Sequence, residues 1–135
     1  MPSVIPDLDR LVADAFVSIP GVVAVYVFGS VARAQERPDS DVDVAVLFTT
    51  APPATFDSQP YDIEAELERR LRRPVEIVVL NRAPVDLRIR VQRDGRVVVD
   101  RDRAARIAYE VRTRNEAWDL APILRRYRRP REAMG

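Results

Sequence analysis

Gly29-Ser30 is followed, after residues 31–40, by Asp41-Val42-Asp43, and these five residues are where chemistry concentrates in this sequence. Gly29 closes an apolar run and lets backbone approach a ligand closely. Ser30 opens the next segment, where its hydroxyl and the free N–H groups of a short helix form an anion site. Asp41 and Asp43 stand two apart on a predicted strand, so both carboxylates face one side. Two hard cations about 3.5–4 Å apart can be bridged by such a pair. A phosphate cradle beside paired carboxylates suits phosphoryl or nucleotidyl transfer, whose burden is positioning and charge neutralisation. Glu76 is the candidate third carboxylate. It lies early in an apolar run, Val75 to Leu80, whose strand could lie beside that of Asp41 and bring Glu76 to the same metal as ligand and base. An exposed strand end is the competing account of Glu76, as a common turn is of Gly29-Ser30 taken alone.

Composition narrows the chemistry further. The chain has 135 residues, 22 basic and 21 acidic, and every basic residue is Arg. It has no Lys, His or Cys. This excludes thiol nucleophiles, disulfides and Cys-rich zinc sites. It also excludes an imidazole base, a Schiff base and a Lys-bearing phosphate loop. Carboxylates, hydroxyls, backbone amides and Arg remain, a set that favours magnesium or manganese. The formal charge of +1 argues against a general nucleic-acid coat. Val22 to Phe28 is too short to span a bilayer. Asp7, Asp9 and Asp14 do not suit a secretory signal, so a cytoplasmic protein is expected.

The elements that must position these residues follow from periodicity. Leu8, Leu11, Val12, Ala15, Phe16 and Ile19 mark an amphipathic helix with Asp7 as N-cap, stopped by Pro20-Gly21. Val22–Phe28 and Asp41–Phe48 read as strands and Val31–Glu36 as a short helix. Thr49–Pro60 reads as loop, Tyr61–Arg72 as helix and Val75–Leu80 as a third strand. Val85 to Val99 fits two elements. Val85, Leu87, Ile89 and Val91 alternate before Asp94-Gly95, which favours a hairpin. A helix capped by Gly95 places Leu87 and Val91 on one face. Val97–Val99 is strand in either case. From Asp102 the chain reads as helix, with Ile107, Val111 and Trp118 on one stripe and Pro122 ending or kinking it. One α/β (α+β) domain over 1–135 is expected, with a core at about 8–100 and a helical segment at about 102–129.

The run GSVARAQERPDSDVDVAVLF resembles the signature of the polymerase-β-type nucleotidyltransferases, and their minimal nucleotidyltransferase (MNT) branch in particular. Similarity continues through VEIVVLNRAP, the Asp94-Gly95-Arg96 turn and WDLAPILRRYRR. The resemblance implies a polymerase-β-like fold, a small mixed sheet with packed helices. It implies an antitoxin that transfers AMP from ATP to a tyrosine hydroxyl of a HEPN-domain ribonuclease toxin, releasing pyrophosphate. Magnesium, ATP and a protein partner come with it. By position, Gly29 and Ser30 would hold the nucleotide phosphates, while Asp41 and Asp43 would bind magnesium. Glu76 would fill the third-carboxylate place, where relatives often carry Asp. Ala34 stands where many relatives have Gly. The resemblance favours helix over Val85–Arg93, and helix is the expectation there. Arg33, one turn into the short helix, would clamp the β/γ-phosphates, unless it is a surface Arg. Asn81 and Arg82 are further candidates for nucleotide contact.

Beyond the core about 40 residues remain, too few for a dedicated substrate domain, so the acceptor is expected to bring its own surface. A small hydroxyl compound or a nucleic-acid end is the alternative acceptor. A non-catalytic toxin-binding module is the alternative role. Arg69, Arg70, Arg72 and Arg73 are read as a solvated helix end. Arg125, Arg126, Arg128, Arg129 and Arg131 are read likewise, with partner docking as the competing account. Trp118 and Tyr127 are read as packing residues.

Overall fold

The structure is a computed structural model that describes residues 7–29, 41–51 and 59–134, with the side chains of 59–61, 121 and 123–134 outside the description. The expected helix at 31–36 therefore lies outside the described residues. In order, the elements are α1 (Leu8–Phe16), β1 (Val22–Phe28), β2 (Val42–Phe48), α2 (Gln59–Leu71) and β3 (Val75–Val79). A 3₁₀ turn (Leu80–Arg82), α3 (Val85–Asp94), β4 (Arg96–Asp100) and α4 (Arg103–Met134) complete the order.

The strands form one mixed sheet in the order β3-β2-β1-β4. β1 pairs antiparallel with β2 and β4, and β2 pairs parallel with β3. All seven residues of β1 are buried, as its β-branched and aromatic run requires of a central strand covered on both faces. The strand period of two then sorts side chains into two layers. Val27, Val44 and Val46 meet Val12 and Phe16 of α1 and Leu67 of α2. On the other face, Tyr26, Phe28, Ala45 and Leu47 meet Val91 of α3 and Tyr109 of α4.

β3 is an edge strand, and α2 shields it. Glu68 accepts the Val75 N–H and Glu64 accepts the Ile77 N–H, both at 3.0 Å. This satisfies edge donors that would otherwise invite a foreign strand. α3 and α4 are joined by Arg88, which donates to the Ala83 carbonyl, Thr113 and Glu116. Gln92 adds a bond to the Glu110 carbonyl at 3.1 Å. Tyr26 ties the sheet to α4 through Glu110 at 2.6 Å.

Val85–Asp94 is helix, as the family resemblance implies and against the hairpin that alternation alone favours; Leu87 and Val91 pack inward as a helix face. Other expectations from the sequence change. Asp7 is the N-cap of α1, as expected, but it adopts a left-handed conformation (φ 58°) and makes no side-chain cap bond. Asp102 does cap α4, accepting the Ala105 N–H at 3.1 Å. Of the two outcomes expected at Pro122, an end or a kink, the end does not occur: α4 continues to Met134. The inward face of α4 carries Ala105, Tyr109 and Thr113. The Ile107–Val111–Trp118 stripe faces outward, and Trp118 is 79% exposed rather than packed. The side chain of Tyr127 lies outside the described residues. Arg72 and Arg73 fall beyond the end of α2, and Arg73 is buried rather than solvated.

Candidate active site

β1 ends at Phe28 where β2 begins, because the two strands are antiparallel, and Phe28 pairs with Asp43. The parallel register of β2 with β3 places Glu76 opposite Asp43 on the other side. Asp43 continues the Ala45–Leu47 row, and Glu76 precedes Val78 in its row, so both belong to the sheet face that α3 and α4 cover. Asp41 lies two residues before Asp43, just ahead of β2, and is exposed. The three carboxylates therefore gather at one end of one face. The alternation that suggested a shared face for Asp41 and Asp43 also brings Glu76 alongside.

Gly29 turns the chain beneath this group. Its φ of 79° is one that side-chain-bearing residues rarely adopt. A Cβ on Gly29 would stand 2.2 Å from Oδ2 of Asp43. Glycine is thus required twice, by conformation and by the carboxylate resting on it. Ser30 and Arg33 lie outside the described residues.

The electrostatics show how crowded the carboxylates are. The Asp43 carboxyl is pushed up to about 6 by its burial first, then by the charges of Glu76 and Asp41. Arg90 pulls in the opposite direction. Among the described residues that guanidinium on α3 is the cation felt at Asp43, and sequence reasoning missed it. Its signal was the helical reading of Val85–Arg93, since only a helix with Leu87 and Val91 inward brings Arg90 to this end of the sheet.

Asn81 and Arg82 do not join the group. β3 runs away from Asp43, and the Asn81 side chain is fastened to the backbone of Phe48 at the far end of β2, at 2.9 and 2.7 Å. Five steps along the strand separate Asp43 from Phe48, about 16 Å. A cavity of about 400 Å³ also lies at that far end, lined by Leu47, Asn81, Arg88, Tyr109 and Arg112 among others. It is separate from the carboxylates.

Among the described residues no three His, Cys, Asp or Glu side chains form a ready-made metal cage. Magnesium does not need one, because it is usually held by one or two carboxylates together with substrate phosphates and water. The all-oxygen donor set and the mutual repulsion centred on Asp43 fit such an ion.

A family model described as "Polymerase beta, Nucleotidyltransferase" matches residues 12–104, which span the whole sheet, the carboxylate group and the start of α4. The chain belongs to the polymerase β nucleotidyltransferase family. No match is found among curated proteins. Among solved structures, a chain of a toxin–antitoxin complex with AMP-PNP superposes with a TM-score of 0.74 at 20% identity, covering 95% of this chain and 99% of that one. A chain from a complex of tri-AMPylated Shewanella oneidensis HEPN toxin with MNT antitoxin gives 0.65 at 19% identity, covering 95% and 100%. A minimal nucleotidyltransferase gives 0.50 at 32% identity, covering 65% and 86%. The mixed sheet with the helices described on its faces is the polymerase-β-like nucleotidyltransferase fold. Among the described residues no helix is long and apolar enough to cross a membrane.

Proposed function

We propose that this nucleotidyltransferase is an antitoxin that transfers AMP from ATP to a tyrosine hydroxyl of a HEPN-type ribonuclease toxin, silencing it. The observation that carries the reading is the pairing of Asp43 with Glu76 over Gly29, with Asp41 two residues away, all on one sheet face. The fold shared with toxin–antitoxin chains supports the choice of partner.

Asp41 and Asp43 would hold magnesium, with Glu76 as the third oxygen donor. Bound there, magnesium supplies charge neutralisation at the phosphates and lowers the pKa of the attacking hydroxyl. Gly29 and Ser30 admit the nucleotide phosphates close to the backbone. Arg33 is assigned to the same phosphates. The tyrosine oxygen attacks the α-phosphorus in line, the bond to the bridging oxygen breaks, and pyrophosphate departs. Glu76, exposed at the edge of the group, takes the tyrosine proton. No His or Lys is needed at any step, which agrees with a chain that has neither.

Co-expression with the HEPN partner tests this. The wild-type chain protects cells from the toxin, and Asp43→Ala does not. Full protection by Asp43→Ala would replace catalysis with simple stoichiometric binding.

A further inference from the structure

α3 stands over the carboxylate end of the sheet for reasons independent of any ligand. Leu87 and Val91 pack into the core that contains Phe28. Arg88 and Gln92 bind α4. Gly95 closes α3 so tightly against β1 that a Cβ there would lie 2.9 Å from the Val27 carbonyl and 3.2 Å from Phe28 Cβ. At about 3.6 residues per turn, a helix with those two faces committed carries Arg90 on the flank away from α4. The charge of Arg90 is felt at Asp43, on the sheet face that also bears Glu76.

Arg90 is exposed there and forms no ion pair among the described residues. Arg93, one turn later, is engaged with Asp94. An Arg with no structural partner, held at the edge of an anionic group by a rigid helix, is placed for a ligand anion. Its planar fork suits phosphate oxygens.

We propose that Arg90 binds the β- and γ-phosphates of the nucleotide, positioning the pyrophosphate for departure. This assignment rests on the nucleotidyltransferase reading above. Divalent cations held by Asp41, Asp43 and Glu76 would offset the pull of Asp43 on Arg90 and leave its guanidinium for the triphosphate tail.

The test is a pair of binding titrations with magnesium, ATP against AMP, on wild type, Arg90→Ala and Arg90→Lys. Arg90→Ala weakens ATP binding by about ten- to hundredfold, the range for losing charge-assisted hydrogen bonds. AMP, which lacks the tail, binds as before. Arg90→Lys recovers part of the loss, because it restores charge without the fork. With magnesium present, the thermal midpoint of Arg90→Ala stays near the wild-type value, since the side chain is exposed and forms no ion pair among the described residues. Equal loss for ATP and AMP, or no loss for either, overturns the Arg90 assignment and leaves the nucleotidyltransferase reading standing. Failure of the wild-type chain to bind ATP overturns both.

Discussion

Replacing Asp43 by Asn should make the metal-free protein more stable while removing its activity. The Asp43 carboxyl sits partly buried between Glu76 and Asp41 and rests on Gly29. Its pKa is raised from an ordinary 3.8 to about 6. A carboxyl raised on folding binds more protons in the folded than in the unfolded chain across that interval. Its contribution therefore favours the fold below about pH 4 and is lost as pH rises through about 6. Ionising Asp43 in this setting costs the fold at most about 3 kcal/mol, and partial exposure to solvent trims this to ~1–2 kcal/mol. Asn keeps the shape and drops the charge. Thermal melts with a chelator, followed by circular dichroism, should place Asp43→Asn roughly 3–8 °C above wild type at about pH 8. The two midpoints should converge as pH falls below the ordinary 3.8, where the Asp43 carboxyl is neutral in the folded and the unfolded chain alike. Excess magnesium should raise the wild-type midpoint and leave the variant nearly unchanged, because only the intact carboxylate group gains from the ion. A difference that does not change with pH, or a variant less stable at pH 8, would refute the electrostatic account of this site.

Other substitutions separate the site from its scaffold. Gly29→Ala should cost about 1–3 kcal/mol through its positive φ alone, and it should also displace Asp43; loss of magnesium-induced stabilisation in a melt checks the second effect. Val91→Ala should destabilise by about 2 kcal/mol, because Val91 is buried beneath α3, as a chemical denaturation curve would show. Trp118→Ala should stay within about 0.5 kcal/mol of wild type in the same measurement, since the indole is exposed. A wild-type midpoint for Val91→Ala, or a large loss for Trp118→Ala, would mean that the packing of α3 and α4 is misassigned.

The strands were legible because short, continuous runs of β-branched and aromatic residues between turn signals, such as Val22–Phe28, suit a buried sheet. Asp41 and Asp43 could be set on one face from their spacing, and Glu76 from the apolar run that follows it. Val85–Asp94 was not legible by the same rule. Val85, Leu87, Ile89 and Val91 alternate like a strand, yet only Leu87 and Val91 join the core, and the contacts of Arg88 and Gln92 with α4 select the helix. Those contacts join residues at least 18 apart, so no local pattern contains them. α4 misled in another way. Its apolar stripe at Ile107, Val111 and Trp118 obeys helical spacing but faces outward, while Tyr109 and Thr113 provide the inward face. Pro122 carries a local cost that does not end the helix. Arg90 was hidden by composition, being one of 22 Arg residues, and only its place on α3 distinguishes it.

The central claim is that these carboxylates catalyse nucleotidyl transfer onto a partner protein. The most direct test is incubation of the chain with magnesium, ATP labelled at the α-phosphate and the HEPN partner, followed by mapping of the label. The account predicts label on a partner tyrosine, lost with Asp41→Ala and with Asp43→Ala. Inhibition of the partner without any label, or label that survives both substitutions, would contradict it.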